Sequence, residues 1–225
     1  MITATYVDHM GSDLSVVNAA RVSFGKNHTE MTDGDTRLIK YLAKYKHTSP
    51  FGHAFASFHV KAPVFVARQL VKHKFLRWNE ISRRYVDDEP EFYVPSEWRG
   101  KSDDKKQGSE GKVNVSYSGM RTLAKHDVWC TKAYKELLKQ GVAPEQARMV
   151  LPQSTMTEWY WSGSLDALAD MCNLRCKEDT QYETRLVANK IDEIMLDLYP
   201  HSWQALTKGD THATDPRRRE HSNQT

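Results

Sequence analysis

Gln69-Leu-Val-Lys72-His73-Lys74-Phe75-Leu-Arg77-Trp78-Asn79-Glu80-Ile81-Ser82-Arg83-Arg84-Tyr85 gathers six basic side chains and one carboxylate into seventeen residues. That density is raw material for gripping an aromatic, phosphorylated ligand, because guanidinium and ammonium groups give charge-assisted donors to phosphate. Composition alone does not distinguish such a grip from a solvated basic face. The flanking pattern places the stretch at the edge of a folded core. Pro63 suits the first turn of a helix that continues through Val66 and Leu70, so the basic run begins on a helix. Residues 75–80 read as the loop leaving it, and 82–85 and 91–94 as short strands before Pro95.

Outward from there, residues 54–61 carry Phe55, Phe58 and Val60 and read as a strand. Residues 1–8 read as another, followed by a helix capped by Ser12 with Leu14, Val17 and Arg21 along one side. After a polar loop over 25–34, Leu38, Ile39, Leu42 and Tyr45 recur at helical spacing. Thr48-Ser49-Pro50 should stop that helix, since the residue before proline is pushed out of the helical region. Downstream, 96–114 is a charged loop, expected to be a mobile surface insertion. A helical pattern over 113–139 closes at Gly141, and Pro144 opens a further helix to Val150. Residues 155–161 read as a strand, Ser164 caps a helix through Cys172, and 180–198 is strongly periodic. The expected architecture is one α+β domain over residues 1–207, a mixed or antiparallel sheet packed by long helices. Residues 208–225, which include Arg217, Arg218 and Arg219, are expected to be a disordered polar tail.

The 225 residues suffice for one core without staples. With 32 basic against 29 acidic side chains the net charge is +3, so the global balance demands neither nucleic acid nor an anionic membrane, and any anion site must be local. Cys130, Cys172 and Cys176 make no disulfide framework, and the pair at 172 and 176 lacks a second pair at zinc spacing, so no metal site is expected. The start lacks a signal-peptide pattern and no apolar run nears the ~20 residues of a membrane span, which points to a cytoplasmic protein. No glycine-rich phosphate loop occurs, so a nucleotide cofactor would not sit on a Rossmann unit.

Three segments together resemble the flavin-dependent thymidylate synthase family. The family signature is Arg-His-Arg, seven residues, then Ser, and Lys72-His73-Lys74 precedes Ser82 with the same gap. Ala19-Ala-Arg-Val-Ser-Phe24, His47-Thr-Ser-Pro-Phe51 and Phe58-His-Val-Lys-Ala-Pro63 resemble its N-terminal half. Ala147-Arg148-Met-Val-Leu-Pro152 and Asn173-Leu-Arg175 are similar to its C-terminal half. The resemblance implies reductive methylation of dUMP to dTMP, with a one-carbon unit from methylenetetrahydrofolate, a hydride from reduced FAD, and NADPH as reductant. It also implies an α+β protomer assembled as a homotetramer with active sites shared between subunits.

On this resemblance, Gln69, Lys72, Glu80, Ser82, Arg83, Arg84, Arg148 and Arg175 hold dUMP, and Arg175 is also the catalytic residue. A fixed cation beside uracil favours the ionised ring and raises electron density at the carbon to be alkylated. Ser82 has no base identifiable beside it and is read as positioning the nucleotide rather than attacking it. His47, Ser49, Lys72, His73, Lys74 and Glu80 face the flavin. Lysine at 72 and 74 keeps the charge of the signature but not its planar fork, and Arg77 adds a cation the usual pattern lacks. Ser164, Asp166 and Asp170 stand where the family has Asn, Arg and Asn, so contacts there are not carried over. Two other readings remain: a sibling reaction, hydroxymethylation or action on dCMP, and a single-strand nucleic-acid-binding module.

Overall fold

Alternation of apolar and polar residues builds the two central strands, and every other element is arranged around them. In chain order the elements are β1 (Thr3–Met10), α1 (Asp13–Arg21), α2 (Asp33–Lys44), β2 (Phe55–Pro63), α3 (Val64–Leu70), β3 (Arg77–Glu80), β4 (Arg99–Lys101), β5 (Ser109–Lys112), α4 (Tyr117–Lys139), α5 (Pro144–Ala147), β6 (Met156–Ser164), α6 (Leu165–Arg175), α7 (Tyr182–Leu198) and α8 (Pro200–Thr207). The computed structural model describes residues 1–86, 88–103 and 108–208; the expected tail therefore lies almost wholly outside the described residues.

The main sheet is antiparallel in the order β1-β2-β6-β3. Ala56, Phe58, Val60 and Ala62 of β2 and Thr157, Trp159, Trp161 and Gly163 of β6 share the buried face, while Ser57, His59, Lys61, Glu158, Tyr160 and Ser162 face outward. Helices α3, α6 and α7 cover the buried face with Val66, Leu70, Leu165, Leu168, Val187 and Ile191. The result is the expected α+β architecture, with α3, α6 and α7 packed on one face of the main sheet.

Long-range polar contacts close the fold. The Tyr199 hydroxyl, at the junction of α7 and α8, donates to the carbonyls of Met10 and Phe55 at 3.0 and 2.8 Å. Asp13, buried at the start of α1, accepts from the N–H groups of His201 and Ser202 and so caps α8 across the whole chain. Asp35 is fully buried in α2 and accepts from Arg21 and Thr32 and bonds His28, tying α1, the following loop and α2 into one unit.

Several expected elements differ. The second helix ends at Lys44, ahead of Pro50, because Lys46 adopts a left-handed φ of 56° and its N–H bonds Ala43 while that of His47 bonds Leu42. These two bonds satisfy the last carbonyls before proline can act. Residues 77–80, expected as loop, pair with β6 as an edge strand, Trp78 opposite Trp161 and Glu80 opposite Trp159. The expected strand at 82–85 is a turn in which the N–H groups of Tyr85 and Val86 both bond the Ser82 carbonyl. The one at 91–94 is reduced to a bridge between Phe92 and Thr155. The helix expected from 113 starts at Tyr117. The expected mobile insertion contains a hairpin, β4 with β5. Arg99 anchors it through an ion pair with Glu183, a hydrogen bond to Ser109, and a position 4.2 Å over the Tyr182 ring. Residues 104–107 of that insertion lie outside the described residues.

Candidate active site

Two groups of the expected residues meet β6 on its buried face. Glu80, at the end of β3, accepts a 2.6 Å hydrogen bond from Thr157 and a 3.3 Å bond from the indole N–H of Trp78. His73, in the turn after α3, sets its ring edge-on to Trp161 with centroids 6.3 Å apart. Thr157 and Trp161 are four residues apart on one strand, roughly 13 Å by strand rise, a span of nucleotide size.

At the Glu80 end, Glu80, Arg83 and Arg148 line one cavity of ≈ 190 Å³ together with Gln153, Thr155 and Thr157. Three of the expected nucleotide contacts, from two segments distant in the chain, are thus brought together. Arg83 donates to the carbonyl and carboxylate of Asp88 at 2.9 and 3.3 Å. Arg148 is exposed on a 3-10 turn and donates only from Nε, to the Glu145 carbonyl. Its terminal amino groups carry no partner among the described residues. The Ser82 hydroxyl accepts from the backbone N–H and Nε of Arg84, whose guanidinium lies 5.2 Å over Tyr85. No carboxylate or imidazole contacts that hydroxyl among the described residues.

At the other end, Arg175 is the last residue of α6 and donates from Nε to Nε2 of His73 at 3.0 Å. Burial and the neighbouring Arg175 push the His73 imidazole down to about 4, so at neutral pH it is uncharged. Lys72 and Lys74 are exposed and make no ion pair among the described residues. Gln69, on α3, buries an amide oxygen that has no hydrogen-bond partner among the described residues. Arg77 lies on the outward face of β3, opposite the face carrying Trp78 and Glu80, and so stands apart from both groups.

The segment carrying His47 and Ser49 meets the start of α6. His47 packs its ring 5.9 Å from Tyr41, and the exposed Ser49 opens a 3-10 turn, Ser49–His53. Ser164 is the N-cap residue of α6, with Asp166 in its first turn and Asp170 one turn later. Asp166 buries an oxygen without a partner. Burial and Asp166 push the Asp170 carboxyl up, and Lys46 offsets part of the shift. Asp88, Thr157 and Trp161 are the partners that sequence reading missed. Thr157 alone left a signal, a polar residue at an inward position of a strand otherwise filled by tryptophan.

Rows of large apolar side chains stand open beside these residues. Phe75 is 83% exposed, Tyr85 80% and Met149 78%, each adjacent in sequence to a basic residue of the site. Among the described residues no group of three or more His, Cys, Asp or Glu side chains could hold a metal, and no helix is long and apolar enough to cross a membrane.

The family model described as thymidylate synthase complementing protein matches residues 5–201. A flavin-dependent thymidylate synthase from Thermus thermophilus is 43% identical over 199 residues, 88% of this chain and 73% of the relative. One from Thermosipho africanus is 38% identical over 207 residues, 90% of this chain and 89% of the relative. Among solved structures, the UMP/dUMP methylase PolB of Streptomyces cacaoi bound with 5-Br dUMP superposes with a TM-score of 0.81 at 33% identity. It covers 92% of this chain and 95% of its own. The same methylase bound with 5-Br UMP gives 0.79 at 31% identity, covering 95% and 97%.

Proposed function

The chain belongs to the family of flavin-dependent thymidylate synthases, and from that premise we propose that it converts dUMP to dTMP. In this reading methylenetetrahydrofolate gives the one-carbon unit and NADPH reduces the FAD. The observation that carries the reading is the meeting of Glu80, Arg83 and Arg148 in one cavity, with Arg175 linked to the same strand, β6, through His73 and Trp161.

Each residue has a task that its geometry suits. Arg148, with its amino groups free, takes the phosphate by paired N–H donors, and Arg83 adds a second cation from the neighbouring turn. Ser82 and Arg84 shape that turn, Gln69 offers an amide at the nucleotide's other side, and Glu80 accepts from the donors that border the cavity. Arg175 stabilises negative charge on the pyrimidine ring, raising electron density at the carbon to be alkylated. No cysteine is placed to assist by attack: Cys130 and Cys172 are buried with thiols pushed up by burial, and Cys176 lines a separate cavity with Asn173 and Asp192. The chemistry here is electrostatic rather than covalent.

The residues present fit a flavin dinucleotide. Its diphosphate requires cations, and Lys72 and Lys74 make no ion pair among the described residues; its hydroxyls and ring N–H require acceptors, and Asp166 buries an oxygen with no partner among those residues near the start of α6. Lys72, Lys74, His47, Ser49 and Glu80 would hold it, and the flavin, once reduced, would supply the hydride. His73 contributes no charge there, so Lys72 and Lys74 would supply the cations of this segment to a bound flavin. A homotetramer with shared active sites is part of this reading, and Phe75, Tyr85 and Met149, exposed beside basic residues of the site, are the side chains a neighbouring copy would cover.

The experiment is a reaction of purified protein with dUMP, methylenetetrahydrofolate, FAD and NADPH, read by product mass. The expected product is dTMP; one that keeps oxygen on the new carbon contradicts methylation. Because the similar Streptomyces cacaoi protein is a UMP/dUMP methylase, UMP is run in parallel, and turnover of UMP would extend the substrate range to the ribonucleotide.

A further inference from the structure

An arginine at the end of a helix has four rotatable bonds and, unrestrained, samples many positions. Arg175 is restrained by a single hydrogen bond, from its Nε to Nε2 of His73. His73 is itself held on three sides. Its N–H bonds the Leu70 carbonyl at 3.1 Å, its carbonyl accepts from Leu76 at 3.3 Å, and its ring meets the edge of the fully buried Trp161. The turn comes this close to β6 because residue 163 is glycine: a Cβ there would stand 2.2 Å from the Leu76 side chain. A continuous line of contacts therefore runs from the rigid centre of the sheet through His73 to Arg175.

We propose that His73 is the positioning residue for Arg175: its Nε2 lone pair fixes the guanidinium plane and leaves the two terminal amino groups as a fork for the oxygen and nitrogen edge of the pyrimidine ring. Those amino groups have no partner among the described residues. An Nε2 that accepts from a cation must be unprotonated, so the ring proton sits on Nδ1. Burial and Arg175 keep the ring in that neutral form well below neutral pH. A protonated ring would offer no acceptor and would repel the cation it is meant to aim. The proposal rests on reading Arg175 as the group that stabilises charge on the pyrimidine.

The test is a double-mutant cycle in steady-state dTMP formation at saturating FAD, with flavin absorbance recorded for every variant. His73→Ala is expected to lower kcat by about 10- to 100-fold, the worth of a hydrogen bond to a charged group, with KM for dUMP changed only a few-fold. His73→Gln, whose side-chain oxygen can accept, is expected to recover most of the loss. Arg175→Lys has no Nε–H donor in the same place, so adding His73→Ala to it should cost less than about 2-fold more. Equal losses in His73→Ala and His73→Gln overturn the proposal, as does a fully multiplicative loss in the double variant. Loss of flavin absorbance in His73→Ala also overturns it, because it assigns the histidine to the cofactor. Wild-type protein that makes no dTMP contradicts the activity itself; working wild type with silent His73 variants contradicts only the positioning role.

Discussion

The two ends of the site are finished to different degrees. At the nucleotide end, Glu80 is satisfied by Thr157 and Trp78, Arg83 by Asp88, and Ser82 by Arg84, so most polar groups already have partners and fixed directions. At the proposed flavin end, Lys72 and Lys74 make no ion pair and Asp166 buries an oxygen without a hydrogen-bond partner among the described residues, and Asp166 and Asp170 repel one another across one helical turn. Buried polar atoms without partners are costly, so such atoms gather where something else supplies the missing bonds. One end is therefore preorganised by the chain itself, and the other is completed by what binds to it.

Arg175, which stands between the two, should show the largest effect. Arg175→Ala is expected to lower kcat for dTMP formation by about 10²- to 10³-fold with a smaller change in KM for dUMP, the pattern of a group that acts on developing charge. An effect confined to KM would instead join Arg175 to the preorganised end. Next in size is the frame beneath the flavin end. Asp35→Ala removes a buried acceptor shared by Arg21, His28 and Thr32 and is expected to cost about 3 kcal/mol in urea unfolding. Hydrogen bonds from Thr32, His28 and Arg21 outweigh burial and hold the Asp35 carboxyl far below its ordinary value. A depressed carboxylate contributes fully above its unfolded value of 3.8 and loses that contribution as pH falls below it, so the wild type should lose its advantage over Asp35→Ala in that acid range. Since α2 leads into the segment of His47, flavin retention should fall in this variant before dUMP binding does.

Smaller effects separate the ends more finely. Arg148→Ala should raise KM for dUMP by about 10- to 30-fold, the loss of a charge-assisted phosphate contact, while flavin absorbance stays unchanged. Coupled loss of both ligands would show that the ends are not independent. Asp170→Asn should tighten FAD binding by about 2- to 5-fold, measured by fluorescence quenching, because it removes a repulsive carboxylate from the incomplete end. Its carboxyl is raised by burial and Asp166, so ionised Asp170 opposes folding at neutral pH. The slight gain in stability from Asp170→Asn should therefore be present at neutral pH and vanish below the ordinary carboxylate range.

What the sequence made legible follows from the range of the forces involved. The α+β class, the alternating strands and the long helices were readable because periodicity is local. Edge strand β3 was not, because Arg77, Asn79 and Glu80 are polar and only the pairing with β6 makes them a strand. The hairpin of β4 and β5 was hidden for the same reason: a composition rich in charge says loop, while Arg99 finds Glu183 and Tyr182 far along the chain. Helix α8 lacked a visible cap, since its cap is Asp13. In the site, the spacing of 72–74 to Ser82 identified the segment. The bond from Arg175 to His73, and with it the neutrality of the histidine in a run that looks cationic, depends on two residues 102 positions apart.

The claim that this unfinished end is a flavin site that responds to the finished nucleotide site is tested most directly by an absorbance measurement. The protein is reconstituted with FAD and reduced anaerobically by NADPH with and without dUMP. The account predicts a bound flavin spectrum that bleaches, and bleaches more completely when dUMP is present. A protein that shows no flavin absorbance after reconstitution would contradict it.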